Sequence, residues 1–141
     1  MGWLDEFSTQ TTSNLPANQF GGTIGGFAGS YPEWKWLASL RYTLNDFDVG
    51  VGWQYVGSTV DTSRFFKTTD VAVPHKDYFK IDAGYSIHDG GWLNGLTIRA
   101  GIENLTDESP PIFPLAPNAN TDPSQFDVLG RRYFVTLALQ F

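Results

Sequence analysis

Eight charged residues recur at alternating positions within apolar segments: Lys35, Arg41, Asp48, Lys80, Asp82, Arg99, Glu103 and Arg132. Glycoside hydrolysis needs a pair of carboxyl groups, one as acid and one as nucleophile or base, so Asp48, Asp82 and Glu103 are the first candidates for chemistry. Mixed charges of the same kind also line the wet or plugged lumen of a β-barrel. A second set, Asp61, Asp70, Asp107, Glu108, Asp122 and Asp127, falls in polar connecting segments and would suit a hard cation such as calcium. No twelve-residue loop pattern supports that use, and solvation of exposed loops accounts for these acids.

The remaining candidates are weaker. His75 and His88 have no third ligand at metal spacing. Gly21–Ser30 is glycine-rich but lacks the Gly-Lys-Ser/Thr ending of a phosphate loop, and no helix follows it. Asn104-Leu105-Thr106 matches a glycosylation sequon, although Asn104 also reads simply as the end of a strand. Ser109–Pro114 is stiffened by proline at the start of a long loop. With no cysteine in the chain, thiolate metal sites and cysteine nucleophiles are excluded. No nucleophile, base and orienting group can be named together, so the expectation is a protein that is not an enzyme, with no catalytic, cofactor-binding or metal residues.

The elements that must carry these side chains are β-strands. Trp34, Trp36, Ala38, Leu40, Tyr42 and Leu44 alternate with Lys35, Leu37, Ser39, Arg41 and Thr43, a period of two. Asn45-Asp46 supplies a tight turn, and Phe47, Val49, Val51, Trp53 and Tyr55 then alternate with Asp48, Gly50, Gly52 and Gln54. The pattern returns in Phe79–Ile87, in Leu96–Glu103 and in Arg132–Phe141. All eight charges fall on one face of the five strands, and none falls on the apolar face. Each strand runs about 9–11 residues, the length a tilted strand needs to cross a bilayer and longer than is usual in soluble domains. Long connections, 57–77 and 106–126, alternate with short ones, Asn45-Asp46 and His88–Gly95. In a meander this puts every long loop at one edge and every short turn at the other, as in outer-membrane barrels. Aromatic residues gather near strand ends at Trp34, Trp36, Trp53, Tyr55, Tyr78, Phe79, Trp92 and Tyr133, heights that suit bilayer interfaces.

Composition agrees with this reading. The 141 residues make one domain, with 16% aromatics, fifteen glycines and only 17% charged residues, a mixture that favours strands and open loops. An apolar fraction of 41% and a mean hydropathy of −0.22 exclude both a disordered chain and a helical membrane protein. The net charge of −6 has the wrong sign for binding a phosphate backbone, so no nucleic-acid partner is expected. Met1–Glu6 has neither a basic leader nor an apolar run before a cleavage site, the expectation being a cytoplasmic chain or a mature or partial sequence.

Four segments together resemble a known family: Ser30-Tyr31-Pro32-Glu33-Trp34-Lys35-Trp36-Leu37-Ala38-Ser39-Leu40-Arg41-Tyr42, then Gly52–Ser58, then Ile98-Arg99-Ala100-Gly101-Ile102-Glu103-Asn104-Leu105-Thr106-Asp107, and last Gly130–Phe141. In this order they are similar to the carboxy-terminal barrel strands of TonB-dependent outer-membrane receptors. The most specific parts are the Asn-Leu-Thr-Asp strand exit and the terminal strand ending in Phe141. The resemblance implies an all-β, antiparallel up-and-down meander in the cell outer membrane, open or closed by oligomerisation if isolated. It further implies a single barrel segment over 1–141, with strands near 34–44, 47–56, 78–88, 96–105 and 130–141 and long loops near 8–33, 57–77 and 106–127. Family members import scarce ligands such as siderophores, cobalamin or oligosaccharides through a barrel of about 22 strands that holds a plug. This chain carries no plug, no energy-coupling box and five clear strands, so the resemblance makes it the last quarter or so of a receptor, not transport-competent alone. The implied partners are outer-membrane lipid, the barrel-assembly machinery through Phe141, and either the rest of the receptor (plug and upstream strands) or copies of itself.

Two other classes fit the alternation. A soluble β-sandwich of carbohydrate-binding type would bury the apolar face against a second sheet. A self-assembling unit would hide open strand edges by pairing them between copies.

Overall fold

Alternating side chains form strands because a pleated backbone sends successive residues to opposite faces, letting one face be apolar throughout. In the computed structural model, residues 2–10, 17–24, 29–61, 71–88, 91–112 and 120–140 are described. Their strands are β1 (Gly2–Trp3), β2 (Ser8–Thr9), β3 (Asn18–Gln19), β4 (Thr23–Ile24), β5 (Ser30–Tyr31), β6 (Trp34–Leu44), β7 (Phe47–Val56), β8 (Thr59–Asp61), β9 (Val71–Val73), β10 (Lys76–Ile87), β11 (Leu96–Glu103) and β12 (Arg132–Leu139). The protein is all-β, and its principal sheet is an antiparallel meander in the order β1-β6-β7-β10-β11-β12. Among the described residues no helix is long and apolar enough to cross a membrane, which leaves crossing by strands untouched.

Turn chemistry sets the register. Asn45 takes φ 51° between β6 and β7, a left-handed conformation that asparagine tolerates well. Between β10 and β11 a short 3-10 turn, Gly91–Leu93, leads to Gly95 at φ 83°, whose amide donates to the Ile87 carbonyl at 2.8 Å. From there β11 pairs with β10 from Ile87↔Leu96 to Lys80↔Glu103, and with β12 from Leu96↔Leu139 to Glu103↔Arg132.

The connections expected as plain loops carry short strands of their own. β2 and β3 form a two-stranded ladder, while β5-β4-β8-β9 form a four-stranded sheet in which β4 runs parallel to β8, Thr23 facing Val60 and Ile24 facing Asp61. Strands of two or three residues leave no readable period, and the partners here are distant in sequence, so local patterning could not announce them.

The described chain divides into two compact units. The first comprises Met1–Trp36, Tyr55–Asp77 and Ser109–Val128 and holds a small core of Ile24, Val56, Val73 and Phe126, each at most 3% exposed. Aromatic stacking adds to it: Trp36 lies 4.0 Å from Tyr55 at an interplanar angle of 10°, and Tyr55 in turn stacks on His75. The second unit comprises Leu37–Gln54, Tyr78–Glu108 and Leu129–Phe141. Its apolar face is open. Leu40 and Leu137 are 70% and 67% exposed, and Val51, Ile81 and Ile98 lie between 38% and 45%.

Candidate functional site

The polar face of the second unit gathers four of the eight strand charges into a closed ring. Arg41 on β6, Asp48 on β7, Asp82 on β10 and Arg99 on β11 come from four consecutive strands of the sheet order. Arg41 Nη2 donates to Asp82 Oδ2 at 2.9 Å, and Arg99 Nη2 donates to Asp48 Oδ1 at 2.7 Å. The other two sides of the ring are Arg41 Nη1 to Asp48 and Arg99 Nη1 to Asp82. Each carboxylate thus accepts from both guanidiniums, and the four charges cancel. The aspartate side chains are 16% and 13% exposed, so the ring shields them from most of the solvent.

Two glycines make the ring possible. A Cβ at Gly50 would stand 2.7 Å from both Arg41 Nη2 and Asp82 Oδ1, and one at Gly84 would stand 2.5 Å from Asp48 Oδ1 and 2.8 Å from Arg99 Nη2. The charged heads lie flat across the sheet where side chains are missing. Beside them, Glu103 Oε2 accepts from Arg132 Nε and Nη2, both at 3.0 Å, and the Lys80 stem lies over Gly52. Phe134, on the same face, covers Gly101 with its ring.

This arrangement is not a hydrolytic centre. Glycoside hydrolysis requires one protonated carboxyl and a second carboxylate free to attack or to activate water, whereas both aspartates here are occupied by arginines. What the ring can do is fix the order and register of four strands, because each charge reaches partners on other strands. The signal for it is present in the sequence: Asp48-x-Gly50, Asp82-x-Gly84 and Arg99-x-Gly101 each set a charge two residues before a glycine, on one face. The charges alone were singled out from sequence, and the glycines that accommodate them were missed.

The other candidates scatter. Lys35 Nζ donates to Gln125 Oε1 at 2.8 Å, tying the β6 start to the end of the last long loop, a partner ninety residues away that spacing does not reveal. His88 Nδ1 lies 2.9 Å from Asp46 at the short turns, and His75 lies 3.7 Å from Asp77. Of the acidic loop residues, Asp122 caps its own turn through the Ser124 amide and hydroxyl, and Asp107 accepts from the Arg131 amide at 2.9 Å. Asp61, expected in a solvated loop, is fully buried on β8, a correction that follows from the unforeseen β4–β8 pairing. Asp70, Phe113, Pro114, Phe141 and the Trp92 side chain lie outside the described residues, as do 25–28 of the glycine-rich segment. Among the described residues no group of three or more His, Asp or Glu is placed to hold a metal.

Asn104 has a defined structural task. It is 3% exposed at φ 51°, its Oδ1 accepts from the Glu108 amide at 2.8 Å, and its Nδ2 donates to the Glu108 carbonyl at 3.0 Å. Both ends of the amide are consumed in closing the Asn-Leu-Thr-Asp strand exit, so the sequon is not presented for glycosylation. Asn104→Ala is expected to cost about 1–3 kcal/mol by stranding buried backbone groups, read as a lowered midpoint in denaturant titration. The chain matches no protein-family model, no curated protein and no solved structure.

Proposed function

We propose that the chain is the carboxy-terminal barrel part of a TonB-dependent outer-membrane receptor, the import of a scarce ligand such as a siderophore, cobalamin or oligosaccharide belonging to the whole receptor. The observation that carries this reading is the contrast between the two faces of the second unit. One face holds Arg41, Asp48, Asp82 and Arg99 in a ring, and the other leaves Leu40, Tyr42, Val135 and Leu137 at least 63% exposed on β6 and β12. A sandwich would cover such a face with a second sheet, whereas hydrocarbon tails cover it in a barrel. The strands of 11, 10 and 12 residues in β6, β7 and β10 have the length for a tilted crossing, while β11 and β12, at 8 residues each, fall short of the 9–11 expected. Inward ion pairs and outward apolar residues are the arrangement a lumen and a bilayer require of one strand.

The test is fractionation. Exported into the periplasm of a bacterium with an outer membrane, the chain is expected in the outer-membrane fraction and soluble only with detergent, and deletion of Phe141 is expected to leave it unassembled. Recovery of the intact chain as a monodisperse, cooperatively melting protein in detergent-free buffer would overturn the reading.

A further inference from the structure

We infer that Asn94 is a self-modification site, its side-chain amide open to attack by the Gly95 main-chain nitrogen, and that the strand ladder holds it unreactive until the turn between β10 and β11 opens. The inference goes beyond the receptor reading, because it rests on the geometry of one turn and not on what covers the apolar face. Of the seven asparagines in the chain, Asn94 alone precedes a glycine. A following residue with no side chain leaves its nitrogen unhindered, and asparagine is chemically labile where that nitrogen can reach its carboxamide. Asn94 is exposed, so water has access to it. The reaction consumes one water. The Gly95 nitrogen gives up its proton and bonds to Asn94 Cγ, the Cγ–Nδ2 bond breaks, the amino group takes up a proton and leaves as ammonia, and a five-membered succinimide closes. Water then opens the ring at one carbonyl or the other, giving aspartate, or isoaspartate in which the main chain runs through Cγ.

The turn opposes the first step on both sides of Gly95. Its amide donates to the Ile87 carbonyl at 2.8 Å, and its carbonyl accepts from the Gln140 amide at 3.1 Å. The first bond holds the proton that the nucleophile must lose and aims the nitrogen at β10; the second ties the same residue to the chain just past β12. The Asn94 amide donates in turn to the Gly91 carbonyl at 3.1 Å. Gly95 lies at φ 83°, and a Cβ there would stand 2.5 Å from the Gln140 carbonyl oxygen, so the turn demands the residue that makes Asn94 labile. Attack requires the Gly95 nitrogen to leave Ile87, and the rate is therefore set by how often this end of the ladder opens. The isoaspartate product has a structural consequence. It adds one carbon to the main chain at residue 94, just before the Ile87↔Leu96 and Leu96↔Leu139 pairs where the β11 register begins. A turn that has opened and reacted in this way does not close again in the same register, so a transient opening becomes a permanent change.

The test follows the peptide that holds Asn94 by mass spectrometry, with aspartate and isoaspartate separated by chromatography. The full chain is kept at mildly alkaline pH in detergent micelles that preserve its strand signal in circular dichroism, and in the same buffer with enough urea to abolish that signal. In urea Asn94 is expected to convert faster than any other asparagine, and in micelles at least tenfold more slowly than in urea. Gln140→Pro removes the amide that Gly95 accepts from and leaves the β11–β12 pairs in place. It is expected to raise the rate in micelles at least threefold with the strand signal retained. Asn94→Asp carries the new charge without the extra main-chain carbon and is expected to unfold at the parent's urea midpoint, the isolated isoaspartate form at a lower one. Equal rates in micelles and urea, no preference for Asn94 in urea, a Gln140→Pro rate equal to the parent's, or an isoaspartate form as stable as Asn94→Asp would each overturn the inference. Failure of the outer-membrane test with these rates as expected would remove the receptor reading alone.

Discussion

Leu137→Arg is expected, on the proposed barrel reading, to lower the stability of the inserted protein by about 2–4 kcal/mol, the cost of a cation near mid-depth on a face that meets hydrocarbon. Leu137 is 67% exposed and stands opposite Ile98, itself 39% exposed, so the new guanidinium would stand beside an apolar cross-strand neighbour. The informative control is one residue away. Thr136 points to the polar face opposite Arg99, where a second cation would face the first, but a carboxylate would find a partner. Thr136→Glu is therefore expected to insert and fold like the parent. Urea titration of both variants in lipid vesicles separates the outcomes. If Leu137→Arg and Thr136→Glu lose equal stability, the assignment of the two faces fails; if Leu137→Arg loses nothing, that face does not meet hydrocarbon.

The contrast between neighbouring positions also explains what was legible in the sequence. A strand's period of two is local, so Trp34–Leu44 and Phe47–Val56 were readable as strands with a definite polar face, and the antiparallel order of a meander followed from the short turn at Asn45-Asp46. The all-β class and the meander required nothing more. Interactions that span many residues left no such trace. The parallel pairing of Thr23-Ile24 with Val60-Asp61 buries an aspartate that composition assigns to solvent, and the Lys35–Gln125 bond joins segments with no shared pattern. The charge ring was half legible. Its members share a face by parity, but which aspartate meets which arginine depends on register between strands, which parity does not fix.

That dependence gives the second large effect. Gly84→Val is expected to destabilise the protein by about 1–3 kcal/mol, because the ring occupies the space into which the new side chain must grow. The added Cβ alone would stand 2.5 Å from Asp48 Oδ1, and the nearest way out is displacement of the carboxylate that both arginines hold. The loss should fall on the ring and not on the backbone, since Gly84 has no left-handed φ that valine would have to adopt. Ala83→Val, one residue earlier and on the open apolar face, is expected to change stability by less than about 0.5 kcal/mol. If the ring is the obstacle, Asp48→Ala should soften the effect of Gly84→Val, so that the double variant loses less than the two single losses added together. Strict additivity in denaturant titrations of the four proteins would mean that Gly84 is required for some reason other than the space beneath Asp48 and Arg99, and the ring would then lose its claim to set the register of β6, β7, β10 and β11.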